Sequence, residues 1–349
     1  MTRLGLTLPR ALPLLPWVAR PIDVIWVLVL MFTLVAVSLY ALTVGSYSLG
    51  VAQAWQALWS PGRVDSTMRN LLWELRLPRV ALAILAGMAM SLAGLLMQSL
   101  TRNPLAAPGL VGVESGASVT MLLIIVLWPT LLPLELYPLA ALAGGLAVAL
   151  FVALLSWRQG ISPLRLILVG VGLTAMLSAV ADLLITYGNI DQVESALMWL
   201  GGSLHRAGWP QVRSLGIWLL LAGVPLLFFH RQLNLLQLGE KVALSRGLNV
   251  TGVMIFLLLC SVMLTAAAVA NVGTMTFVGL VAPHLARQLA GDRHGALMPL
   301  SALVGALLVL AGDTLGRGLF PPLQLPAGLV VAIIGAPYLI LLLARQRSR

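Results

Sequence analysis

The residues from which this sequence could build a reaction centre are few: four histidines, one cysteine and one lysine. His205, His230, His284 and His294 form no HExxH pair, so a zinc protease is not indicated. Lys241 is followed by Val242, which leaves the chain without the Gly-Lys-Ser/Thr of a P-loop; any ATP that drives it must be bound by another polypeptide. Ser115 lies in Gly112-Val113-Glu114-Ser115-Gly116, which is not a nucleophile elbow. Asp292 and Asp313 each follow a glycine, but neither stands in a Gly-x-Gly-Asp string. Cys260, alone in an apolar run, excludes a disulfide framework and a cysteine metal site. The expectation is a chain with no covalent chemistry and no cofactor. Glu114 and Asp182 fall within apolar runs, where a charge costs about 2.5–3.5 kcal/mol on insertion scales. Each is either a coupling group at depth or a side chain near an interface, bonded to backbone or facing water. His284, after Pro283, reads as a structural histidine at a helix bend; a metal-ligand role lacks partners.

The elements that would hold these residues are membrane helices. Hydrophobic residues make up 60% of the 349 and charged ones 9%, against about 25% in a soluble domain. Such a chain cannot cover a surface facing water. Ten apolar runs lie near 22–43, 80–100, 105–128, 136–157, 163–187, 214–229, 250–270, 272–290, 296–312 and 326–344. The first is too long for a signal-peptide core, and those at 214–229 and 296–312 are short for a full span. An all-α polytopic membrane protein of about ten transmembrane helices follows, as one transmembrane unit over 1–349 with no domain-sized soluble segment. Ten spans return the chain to its starting side. With residues 1–21 inside, 14 of the 21 basic side chains fall in inner segments and 7 in outer ones, which places both termini in the cytoplasm. The net charge of +10 is thus a topological signal, not a nucleic-acid footprint. The outer stretch 188–212, with Trp199 and Trp209, suits an interfacial segment. The inner stretch 230–249 reads as one or two short amphipathic helices punctuated by Gly239 and Gly247. Gly112/Gly116, Gly312/Gly316 and Gly87/Gly94 have helix-packing spacing, or line a path of small residues.

Several strings, in order along about 70–345, together carry a resemblance. They are Leu75-Arg76-Leu77-Pro78-Arg79, then Gln98 followed by Arg102-Asn103-Pro104-Leu105-Ala106-Ala107-Pro108-Gly109, and Leu238-Gly239-Glu240 with Ala243 and Gly247. Phe277-Val278-Gly279-Leu280-Val281-Ala282-Pro283-His284, Asp313 with Arg317, and Leu325-Pro326-Ala327-Gly328 with Gly335-Ala336-Pro337 complete the set. The chain resembles the FecCD-type permeases, the membrane subunits of ABC importers for iron-siderophore, haem and cobalamin. Three positions depart from that pattern. Gln324 stands where a Glu is usual, Ala327 replaces a branched residue, and Glu114 occupies a position usually small or polar.

The resemblance implies a type II ABC importer permease in a bacterial inner membrane. A second permease subunit, identical or not, would complete the pathway, with two cytoplasmic ATP-binding subunits and an outer substrate-binding protein. A ferric siderophore is the expected cargo, haem or cobalamin the alternatives, and a stand-alone secondary transporter the rival. By the same resemblance Leu238, Gly239, Glu240, Ala243 and Gly247 belong to the ATPase coupling loop. Ser162, Pro163 and Leu164 lie in a loop that meets its counterpart at the inner gate, or is a plain turn. Arg76, Arg79 and Arg317 would grip acidic residues of the binding protein, guanidinium pairing bidentately with carboxylate, rather than snorkel to the interface.

Overall fold

The computed structural model describes residues 20–45, 47, 49–60, 62, 64–157, 163–319 and 323–346. These residues form α1 (Pro21–Ala41), α2 (Val51–Trp59), α3 (Ser66–Thr101), α4 (Val113–Leu127), α5 (Tyr137–Ser156), α6 (Pro163–Tyr187) and α7 (Ile190–Leu200). The chain continues through α8 (Trp209–Gln237), α9 (Glu240–Ser245), α10 (Val250–Val272), α11 (Thr276–Ala290), α12 (His294–Gly318) and α13 (Ala327–Gln346). Each of the ten apolar runs falls on one helix. Seven of them, α1, α3, α5, α6, α8, α10 and α12, are long and apolar enough to cross a membrane. α4 and α11, of 15 residues each, fall short of that measure. The two runs that read as short belong to long helices, because α8 and α12 continue into polar turns around His230–Gln237 and Asp313–Arg317.

Three of the helices contain a π turn, at Leu71–Arg76 in α3, Leu123–Leu127 in α4 and Leu219–Gly223 in α8. A proline stands two residues beyond each one: Pro78, Pro129 and Pro225. Proline offers no N–H, and its ring meets the carbonyl four residues back. In α3 and α8 widening the preceding turn by one residue absorbs that clash and the helix runs on, whereas α4 ends at Leu127, before Pro129.

The interior is built on α3, α10 and α12, which are buried along most of their apolar length, whereas α1 and α6 leave nearly all of theirs exposed. Small residues set the closest approaches. A methyl group at Gly87 would overlap the carbonyl of Gly305 across α3 and α12, and one at Gly94 would overlap that of Gly279 across α3 and α11. The Gly112/Gly116 and Gly312/Gly316 spacings serve packing in the same way, against Val148 and Gly144 and against Val331 and Leu325. Ser91 on α3 meets the Ser301 hydroxyl on α12 at 2.7 Å, and Ser261 on α10 donates to the Ala93 carbonyl at 2.9 Å, so these hydroxyls are satisfied across helices.

α3 and α12 thereby form an antiparallel pair running through the molecule. One end of the pair meets residues 41–50 and 323–328; the other meets residues 230–249.

Candidate functional site

At the 41–50 end, Asp313 is the hub. It is 1% exposed and accepts from Arg79 through Nε at 3.0 Å and Nη2 at 2.9 Å, a bidentate pairing that joins α12 to α3. Arg317, one turn along α12, stands with Nε 3.0 Å from the same carboxylate. Arg317 also donates to the carbonyls of Val44 at 3.0 Å and Ala41 at 3.2 Å, while Arg76 donates to those of Leu42 and Tyr47. The two arginines therefore fasten the turn after α1, satisfying carbonyls at its C-terminal end. Arg79 reaches Gln324 Oε1 at 2.9 Å, and His205 Nδ1 lies 3.4 Å from that oxygen. The three arginines read as a docking set are thus brought together, but facing inward. Arg76 and Arg317 are each 5% exposed, and the Arg79 side chain 12%. Burial turns the expected direct grip into an internal cross-link for Arg76 and Arg317. Among the described residues Asp313 alone forms ion pairs with this set, leaving it net positive.

The other end is bonded differently. His294 at the start of α12 is fully buried, with Nε2 2.8 Å from Ser99 Oγ and Nδ1 3.0 Å from Asn234 Oδ1. Asn234 Oδ1 also accepts the His294 backbone N–H at 3.0 Å. An oxygen that accepts there must accept from Nδ1 as well, which assigns the ring proton to Nδ1; the Ser99 hydroxyl, 2.8 Å from both Nε2 and the Leu95 carbonyl, donates to one of them at a time. The order Ser–His–Asn has the look of a hydrolytic relay, yet Ser99 and His294 are both enclosed in packed helix, so it performs no attack on a substrate. It joins α3, α8 and α12. Nearby, Gln98 accepts from Arg287 at 3.0 Å, and Arg287 pairs with Asp292 at 2.8 Å.

The 230–249 stretch forms the amphipathic helices that its pattern predicts. His230–Gln237 closes α8, Gly239 turns at φ 112, α9 follows, and Gly247 turns at φ 79. Leu238 is 67% exposed, and Glu240, Val242 and Leu244 also face out, whereas Ala243 is fully buried. Ala243 accordingly seats the helix, and Val242 and Leu244, which sequence reasoning missed, supply its apolar outer face. Of the three gate residues, Ser162 and the side chain of Pro163 lie outside the described residues; Leu164 is exposed at the start of α6.

Glu114 is buried, 2.9 Å from the Thr276 hydroxyl that donates to Oε2, with no partner for Oε1 among the described residues. Asp182 is exposed on α6. One turn further, Ile185 and Thr186 enter a cleft of about 520 Å³ shared with Val193, Glu194 and Met198 of α7 and with Pro326. His284 sits edge-on to Tyr338 and 3.2 Å from Gln288 Nε2, in keeping with a histidine at the Pro283 bend.

Residues 33–345 match the FecCD transport family. The chain is 40% identical to the achromobactin transport system permease protein of Dickeya dadantii over 312 residues, 89% of each chain. It is 38% identical to the hemin transport system permease protein of Yersinia pestis over 325 residues, 92% of this chain and 97% of that one. Among solved structures it is similar to a metal-chelate type ABC transporter in an inward-facing conformation, with a TM-score of 0.81 at 31% identity, covering 91% of this chain and 98% of that one.

Proposed function

This chain belongs to the FecCD transport family and is the permease of an ABC importer for an iron-siderophore, haem or related metal chelate, and on that premise we propose that its cargo is a ferric siderophore, moved between two such subunits. The observation that carries the shared path is Asp182. It lies on the exposed face of α6, toward the end that leads into α7, where a charge facing lipid is disfavoured, though less than at the bilayer centre. A partner subunit or a water-filled passage removes that cost. The adjoining cleft of about 520 Å³ has the size of a small-molecule site and opens on the same side of α6. A second permease facing α6 and α7 closes it into a passage.

In this reading the 230–249 end is cytoplasmic, as the distribution of basic residues supports. The exposed Leu238, Val242 and Leu244 fill a groove on an ATPase subunit. The 41–50 end faces outward, and the net positive charge left by Arg76, Arg79 and Arg317 around Asp313 attracts acidic lobes of a binding protein. Arg79 makes that contact itself; Arg76 and Arg317 hold the turn on which it rests.

The test is uptake into vesicles holding the permease, its ATPase and its binding protein, with ferric hydroxamate, ferric citrate and haem offered in parallel. Uptake of a ferric siderophore, lost when the ATPase is omitted, is expected. Uptake of haem alone would reassign the cargo, and uptake that survives without the ATPase would mark a secondary transporter.

A further inference from the structure

At the 230–249 end one residue departs from ordinary backbone geometry. Arg102, the residue after the last turn of α3, has φ 51 and ψ 31, and it is the sole non-glycine residue with positive φ among the described residues. Helices commonly end in this left-handed conformation, but glycine usually takes it, because a Cβ there is strained. An arginine held there against preference has a purpose for its side chain. Its Nη2 lies 3.3 Å from Glu240 Oε1.

Glu240 is the first residue of α9, and α9 is hung between two turns. Gly239 and Gly247 both have positive φ, and a Cβ added to either would meet nothing within 4 Å. No neighbour stands where either side chain would lie, so each glycine serves the turn and not close packing, which leaves room for α9 to shift. The preceding half of the stretch has no such freedom. Asn234 is bonded to both the backbone and the ring of His294, which fixes the end of α8 to α12. The buried Ala243 seats α9 without directing it, because a methyl group packs but does not orient. Orientation falls to the link between Glu240 and Arg102.

We propose that Arg102 is a positioning residue: its left-handed backbone aims the guanidinium at Glu240, so that movement of α9 reaches α3. This rests on the reading of α9 as the ATPase contact. An exposed ion pair contributes little to stability, so the consequence is in coupling and not in folding. α3 then carries the movement along its length to Arg76 and Arg79 at the opposite end.

The experiment uses the complete importer in vesicles, supplied with whichever of ferric hydroxamate, ferric citrate or haem the native importer takes up, and measures ATP hydrolysed per molecule imported. Arg102→Gly keeps the left-handed turn, relieves its strain and removes the link. ATP hydrolysis should stay near the native rate while uptake falls about fivefold, the upper end for one exposed pair. Glu240→Arg, itself in the coupling loop, should lower uptake at least as far, and Arg102→Glu combined with Glu240→Arg should restore most of that uptake. A native ratio in Arg102→Gly, or a double reversal no better than its parents, overturns the link. Leu244→Asp, on the outer face of α9, separates the two levels. If it leaves ATPase attachment and uptake intact, the ATPase-contact reading falls. If it strips the ATPase while Arg102→Gly keeps the native ratio, the link alone falls.

Discussion

The two ends of the α3–α12 pair differ in how they bond the two helices to their surroundings. Both must join a buried helix end to a neighbouring segment. At the 41–50 end the join is ionic: Asp313 between Arg79 and Arg317, with Arg76 and Arg317 holding loop carbonyls. At the 230–249 end the join of α3, α8 and α12 is neutral, Ser99–His294–Asn234; beside it Arg293 pairs with the buried Asp23 of α1 at 3.1 Å, and the pair between Arg102 and Glu240 is left on the surface. A buried ion network is rigid but is costly to break, since losing one member strands the others without water. A neutral network strands only a hydrogen-bonding group.

That contrast fixes the order of expected losses. Asp313→Ala should be the most damaging change, since it leaves two arginines uncompensated; a loss of about 3–5 kcal/mol is expected, read as a large drop in the thermal midpoint of the purified permease. Asn234→Ala should cost less, about 1–3 kcal/mol by the same measurement, because the His294 N–H groups lose one acceptor and no charge is stranded. A loss equal to that of Asp313→Ala would erase the distinction between the ends.

Gln324→Glu sharpens the comparison from the other side. The new carboxylate would meet Arg79 where the amide oxygen now lies 2.9 Å away, adding at most about 1 kcal/mol of stability. It would also remove one unit of net positive charge, so association with the binding protein should weaken and become less sensitive to salt. Unchanged salt dependence would show that the binding protein does not read this charge. Leu244→Asp should have the smallest effect on folding, within about 0.5 kcal/mol, because the side chain is already exposed. Its effect should appear as loss of ATPase co-purification.

The helices were legible because membrane segments announce themselves by hydropathy, and all ten apolar runs coincide with helices. What hydropathy could not give was the polar continuation of a helix. The Ser66–Arg76 part of α3 carries Arg69, Glu74 and Arg76, and α2 exposes Val51, Trp55 and Trp59 over too short a length to register. The arginine set was legible as a set, and the i, i+4 spacing of Asp313 and Arg317 already placed them on one face. Its inward direction was not, because that depends on the turn after α1, whose Leu42 is 34 residues from Arg76 and whose Val44 is 273 from Arg317. Ser99, Asn234 and His294 could not be assembled either: they come from three helices and share no motif, and only the packing brings them within 3.0 Å.

The central claim is that the α3–α12 pair joins an ATPase contact at one end to a binding-protein contact at the other. Photo-crosslinking groups placed singly at the exposed Leu244 and Leu323 in the assembled importer test it most directly. The account predicts that Leu244 captures the ATPase subunit alone and Leu323 the binding protein alone. Capture of the binding protein at Leu244, or of the ATPase at Leu323, would contradict it.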